Sequence, residues 1–266
     1  IKIYTFLSMN SLFFISSPLE QFEILPAISF YFGLLDFSIT NEAIILFLIF
    51  FFVYTFFKSS FKQTDSTLFV IPHRWQVIIE IIYRTVLSMI TDNISGKKGT
   101  FFFPLVFSIF LFVACLNLIG LVPYSFTLTS HLIVTFALGI ALFLGINIIC
   151  IGIHGSEFFS LFFPAGTSLL LAFLLVPIEI ISYVFRPISL GIRLFANMMA
   201  GHTLLKVIAG FGWTLMGCSG VLFLMHYVPL IVLFPLMGLE LAVGLIQSFV
   251  FSVLICIYLN DAVNLH

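Results

Sequence analysis

The sequence predicts an all-helical membrane protein, and three observations carry that prediction. Of 266 residues, 62% are hydrophobic and 8% charged, where soluble domains carry roughly a quarter charged. Runs such as Ala43 to Phe57 and Phe101 to Val122 are apolar around the whole helix, and about 20 such residues cross a hydrocarbon core. Barrel strands would alternate apolar and polar with period two, which these runs do not. Helices, which close their own backbone hydrogen bonds, are then the structure that a bilayer permits.

The elements follow in order. Residues 1–42 mix apolar residues with Pro18, Pro26 and scattered acids, which predicts a surface segment with one short helix. The rest, 43–266, reads as a single helical membrane domain. Its first span covers 43–57; Lys58, Lys62 and Arg74 follow closely and mark that end as the inner side, with the amino terminus opposite. In 73–94, Val77, Ile78, Ile81, Ile82, Thr85 and Met89 recur at helical spacing, while Arg74, Glu80, Arg84 and Asp92 interrupt the apolar run. That pattern predicts an amphipathic helix lying on the membrane. Phe101 to Pro123 and Leu132 to Ile153, joined by the polar turn Ser125 to His131, read as a transmembrane hairpin. Residues 164–211 and 213–262 exceed one perpendicular crossing each; strong tilt, kinks at Pro177 and Pro187, or a re-entrant segment would each account for the excess.

Charge and cysteine usage exclude several functions. A net charge of −1, with no basic cluster larger than Lys97-Lys98, argues against nucleic acid as a partner. Cys115, Cys150, Cys218 and Cys256 stand singly in apolar segments, without a C-x-x-C pair or histidines at ligand spacing. They read as small buried residues, and neither metal nor cofactor is expected. The opening residues lack a basic region followed by an apolar core and a cleavage site, so a secretory signal is not expected.

An ionisable side chain at a span's centre costs about 2.5–3.5 kcal/mol on insertion scales, so each one points to function. One stretch carries Glu179, Arg186, Arg193 and His202; the next carries Glu240 and Gln247. Residues seven apart differ by only about 20° around a helix, which puts Glu179, Arg186 and Arg193 on one stripe, extended by Ser189 and Asn197. At 1.5 Å per residue, Glu179 lies about 21 Å from Arg193, and His202 lies about 14 Å beyond it. Glu and His take up and release protons, whereas Arg stays charged. Two titratable groups bracketing a fixed cation suit two offset proton half-paths. The structural alternative is that Arg186 or Arg193 pairs with Glu179 or Glu240 to hold two helices, or snorkels to an interface. Ala196, Ala200 and Gly201, with Gly238, Ala242, Gly244 and Ser248, are spaced for close helix approach, to a partner or within the bundle. Outside this group, Glu157 is the one carboxylate or cation between Gly99 and Ile178.

Ser189-Leu190-Gly191-Ile192-Arg193-Leu194-Phe195-Ala196-Asn197-Met198-Met199-Ala200-Gly201-His202 closely resembles the signature of the subunit a family of rotary ATP synthases. Asn117 to Phe126, Glu240 to Gln247 and Tyr258 to Ala262 support the resemblance, and Ser17 to Glu23 is similar to mitochondrial forms from plants and protists. The resemblance implies a multi-pass protein of the mitochondrial inner membrane, its amino terminus in the intermembrane space and its carboxyl terminus in the matrix. It also implies a first span, an amphipathic helix on the matrix surface, a hairpin, and two long tilted helices packed against a ring of c subunits. By that resemblance Arg193 is the essential arginine facing the ring carboxylates. Glu240, His202, Gln247 and Asn197 line the half-channel from the intermembrane space, and Glu179 and Ser182 line the one to the matrix. The implied partners are the c-ring, the peripheral stalk, other membrane-sector subunits and lipid, with protons as the transported ion and no catalysis by the chain itself.

Two rival readings remain open in the sequence. A secondary transporter would also bury charges near the midplane, but usually with repeated halves, and no internal repeat is visible. A structural subunit of a respiratory complex would explain the apolar bulk but not the bracketed arginine.

Overall fold

A computed structural model describes residues 19–29, 31–32, 35–61, 74–94, 97–122, 125–155, 158, 169–217 and 221–263. Ser17, Pro18, Lys62, His73, Pro123, Tyr124, Glu157, Cys218 and His266 lie outside the described residues. Helices dominate: α1 (Asn41–Phe61), α2 (Arg74–Asn93), α3 (Lys97–Gly120), α4 (Leu132–His154), α5 (Leu169–Met216), α6 (Val221–Met225) and α7 (Tyr227–Val263). Five helices, α1, α3, α4, α5 and α7, are long and apolar enough to cross a membrane.

The amino-terminal segment is richer in structure than one short helix. A 3-10 turn at Glu20–Phe22 is followed by four short strands, β1 (Pro26–Ile28), β2 (Tyr31–Phe32), β3 (Leu35–Asp36) and β4 (Ile39–Thr40). β1 pairs antiparallel with β4, and β2 with β3. Asn41 ties this segment to the start of α1, its backbone N–H donating to the Leu25 carbonyl at 3.1 Å and its Nδ2 to the Glu23 carbonyl at 3.2 Å.

α2 lies where its periodicity predicts, with its apolar face partly open and partly packed. Val86, Met89 and Ile90 are buried, whereas Val77, Ile78 and Ile81 stay exposed. The carboxyl-terminal part of α2 enters a core shared with α3, α4, α5 and α7, while Trp75 near its start meets Phe56 of α1 edge-on at 6.0 Å. At the surface Glu80 and Arg84 pair at 2.6 Å.

The two long helices expected from the sequence are present, with the junction between them shifted. α5 runs unbroken from 169 to 216 with Pro177 and Pro187 inside it, so neither proline ends the helix and the turn expected near 212 falls after 216. Its 48 residues, at 1.5 Å each, make roughly 72 Å, and the 37 of α7 make roughly 55 Å. A hydrocarbon core about 30 Å thick accommodates such lengths only by strong tilt or by helix ends beyond it.

α4 and α5 approach backbone to backbone. A β-carbon at Gly139 would lie 2.9 Å from the Pro187 carbonyl, and one at Gly191 would lie 3.0 Å from the Thr135 carbonyl. α4 ends at Gly155, whose φ of 57° a side chain rarely tolerates. α3 is fastened to α7 by buried Asn117, whose Nδ2 donates to the Gly244 carbonyl at 3.0 Å. α1 stands at the margin, held by a small cluster of Ile49, Leu116 and Leu128.

Candidate functional site

α5 and α7 pack antiparallel, and three polar contacts mark their seam. His202 Nε2 lies 3.6 Å from Glu240 Oε1. Asn197 Nδ2 donates to Gln247 Oε1 at 3.0 Å, and Arg186 Nη1 donates to Asp261 Oδ2 at 3.2 Å. Numbers rise along α5 as they fall along α7, so the seam spans 21 positions of α7, from Glu240 to Asp261. At 1.5 Å each that is roughly 31 Å, close to a hydrocarbon thickness.

The acid–imidazole pair is enclosed. The Glu240 side chain is 5% exposed and that of His202 is 14%. Both Glu240 oxygens and His202 Nε2 are buried without a hydrogen-bond partner among the described residues. Buried polar groups normally find partners, so three unpartnered atoms in one place suit groups whose task is to exchange protons. Gly201 makes the space: a β-carbon there would stand 2.7 Å from Glu240 Oε1. Phe22, from the amino-terminal 3-10 turn, meets the His202 ring edge-on at 6.5 Å.

Arg193 lies on α5 between the seam's ends. It is exposed, and among the described residues no carboxylate lies within ion-pair distance. Ala196 and Ala200 share its exposed state, as do Gly238 and Ala242 on α7. The small residues that the sequence grouped together therefore divide. Gly201 packs on Glu240, and Gly244 and Ser248 are buried in the bundle. The alanines and Gly238 leave open faces on both long helices.

Of the predicted residues, the structure brings together Glu240, His202, Asn197 and Gln247. Glu179 is half-buried and Ser182 exposed, nearly four and three turns before Arg193, and neither touches that group. Arg186 does pair, but with Asp261 rather than with Glu179 or Glu240. Its guanidinium also lies over Tyr183 at 5.4 Å and Tyr258 at 5.5 Å. The Tyr183 hydroxyl donates to Asn147 Oδ1, which extends the cluster to α4. Asp261, Tyr183, Tyr258 and Asn147 carried no assignment from the sequence; the Tyr258–Ala262 motif pointed to Tyr258 and Asp261, and no signal pointed to Tyr183 or Asn147.

The model of the ATP synthase A chain family matches residues 42–260, which include every seam residue except Asp261. The chain belongs to that family. It is 52% identical over 252 residues to an ATP synthase subunit a of Pylaiella littoralis, covering 94% of this chain and 99% of the relative. It is 47% identical over 258 residues to that of Chondrus crispus, covering 97% of this chain and 100% of the relative. To that of Marchantia polymorpha it is 46% identical over 252 residues, 94% of this chain and 99% of the relative. With five helices able to span, this ATP synthase A chain family member is a multi-pass membrane protein. Phe22 and the amino-terminal strands lie outside the family match.

Proposed function

We propose that the chain is the proton-translocating stator subunit of the membrane sector of an ATP synthase, in a mitochondrial inner membrane. The observation that carries the reading is the buried Glu240–His202 pair, its polar atoms unpartnered, extended by the Asn197–Gln247 hydrogen bond toward an exposed Arg193. A proton entering from the intermembrane space passes His202 and Glu240, then Asn197 and Gln247, and neutralises a carboxylate on a rotating c subunit. The neutral carboxyl turns into lipid, since burying it there no longer carries the cost of a charge. A carboxyl arriving from the other side releases its proton toward Glu179 and Ser182 and so to the matrix.

Arg193 separates the two paths because a guanidinium attracts the bare carboxylate and repels a proton. Its open surroundings, with Ala196 and Ala200 beside it, suit a ring helix coming close. The driving force is the membrane potential, about 2.3 kcal/mol per charge per 100 mV, with any pH difference added. Lys58, Lys62 and Arg74 follow the first span in the sequence and support a matrix-facing end there, which puts the amino terminus in the intermembrane space and the carboxyl terminus in the matrix. The chain makes no ATP itself. Peripheral-stalk and other membrane-sector subunits hold it against the torque.

Glu240→Gln tests the reading. A side chain that accepts no proton should slow proton flux about a hundredfold, the low end of what a positioned acid or base contributes. The measurement is the initial rate of ATP-driven acidification in vesicles containing the assembled complex, and an unchanged rate removes Glu240 from the path. Gly201→Ala probes the same carboxyl without altering a titratable group. The added methyl forces Glu240 aside within a buried site, and a displacement of about 1 Å costs up to roughly a hundredfold in a positioned reaction. Flux should fall about tenfold at normal assembly, read in the same vesicles.

A further inference from the structure

A second acid–imidazole pair stands outside the α5–α7 seam. Glu42, in the first turn of α1, places Oε1 3.9 Å from Nε2 of His131, the residue that caps the start of α4. We infer that Glu42 and His131 form an outer proton-collecting station that feeds His202 and Glu240. The inference rests on the reading that protons enter at that inner pair.

The geometry fits collection better than fastening. A separation of 3.9 Å exceeds hydrogen-bond distance, and His131 Nε2 is buried without a partner among the described residues. α1 is already fastened by Ile49, Leu116 and Leu128 and by the Asn41 bonds. The side chains are 25% and 18% exposed, open to water yet mostly enclosed, and Phe126 stacks on the His131 ring at 4.9 Å to fix its plane.

The two pairs share one cover. Phe22 lies on His202; its neighbour Glu23 accepts from Asn41, and Asn41 is next to Glu42. The segment 22–25 thus reaches from the inner pair to the outer one. Two positions before His131, Thr129 is 1% exposed with its Oγ1 unpartnered among the described residues, in a 3-10 turn, Leu128–Ser130, that packs on α5. Glu23, exposed on the covering segment, adds a negative charge, and His202 and Glu240 face inward from α5 and α7. In the transfer, Glu42 takes a proton from solvent and hands it to His131 Nε2. The imidazolium releases it inward past Thr129, and both groups return to their starting states.

The test uses the whole complex in vesicles, with synthesis driven by a fixed potential at low buffer concentration on the intermembrane face. E42Q and H131Q should each slow synthesis roughly tenfold, the low end of what focused charge does for on-rates. Added imidazole buffer on that face should restore the rate, because a mobile acid then does the collecting; a merely structural loss would not respond. Unchanged rates at low buffer, or a loss in assembled complex that buffer leaves in place, overturn the inference. Should E42Q fail to assemble, H131Q carries the test alone. E240Q is run beside them: full activity there sinks the inner-pair reading itself, whereas a buffer-independent loss there with normal E42Q and H131Q sinks the outer station alone.

Discussion

Arg193→Ala is expected to abolish ATP synthesis while leaving the complex assembled. The side chain is exposed on α5 and holds no partner within ion-pair distance among the described residues, so its removal breaks no ion pair. Exposed positions away from packed features usually change stability by less than about 0.5 kcal/mol. What is lost is the charge. A guanidinium and a carboxylate about 4 Å apart interact by roughly 4 kcal/mol at an effective dielectric near 20, about a thousandfold where that contact sets a barrier. On the mechanism proposed above, a ring carboxyl would then carry its proton directly from the inlet to the outlet. Synthesis in energised vesicles should disappear into background, and passive proton leak should rise in vesicles stripped of the catalytic sector. Synthesis at the normal rate would refute the role proposed for this residue.

The sequence made the spans legible because apolar length is a local quantity. α1, α2, α3 and α4 fall within a few residues of their expected bounds. The long helices were harder for a physical reason: hydropathy counts residues but carries no tilt, and a helix apolar on all sides has no pattern that marks its turn. Hence the boundary expected near 212 falls after 216, with α6 between the long helices.

The inner site was legible where chemistry stood out against an apolar background, as Glu240 and His202 do. Pairing was not. Arg186 and Asp261 lie 75 positions apart, and no periodicity links them; the partners the sequence offered, Glu179 or Glu240, are not the one Arg186 meets. Glu42 and His131 were hidden for the same reason, each at the end of its own span. Small residues posed the reverse problem, since spacing admits close approach without saying which neighbour approaches. Ala196 and Ala200 proved open, while Gly201 holds space for a carboxyl and Gly139 and Gly191 hold space for a backbone.

That last pair leads to the second large effect. A side chain at Gly139 meets the Pro187 carbonyl at 2.9 Å, and one at Gly191 meets the Thr135 carbonyl at 3.0 Å and the Phe136 Cα at 3.2 Å. Main-chain atoms of two packed helices cannot rotate away as a side chain can, so α4 and α5 must separate. Overpacking of this kind costs about 1–3 kcal/mol and at times more, and here it acts where α5 turns its seam toward α7. Gly139→Val should therefore reduce assembled complex on a native gel to a small fraction of normal. Gly145→Val, six residues along the same helix and with open space where its side chain would go, should assemble normally. Valine's cost to the helix itself is common to both, at a few tenths of a kcal/mol, so the contrast isolates the crossing. Equal assembly of the two variants would mean that the close approach of α4 and α5 does not hold Arg193 and His202 in place.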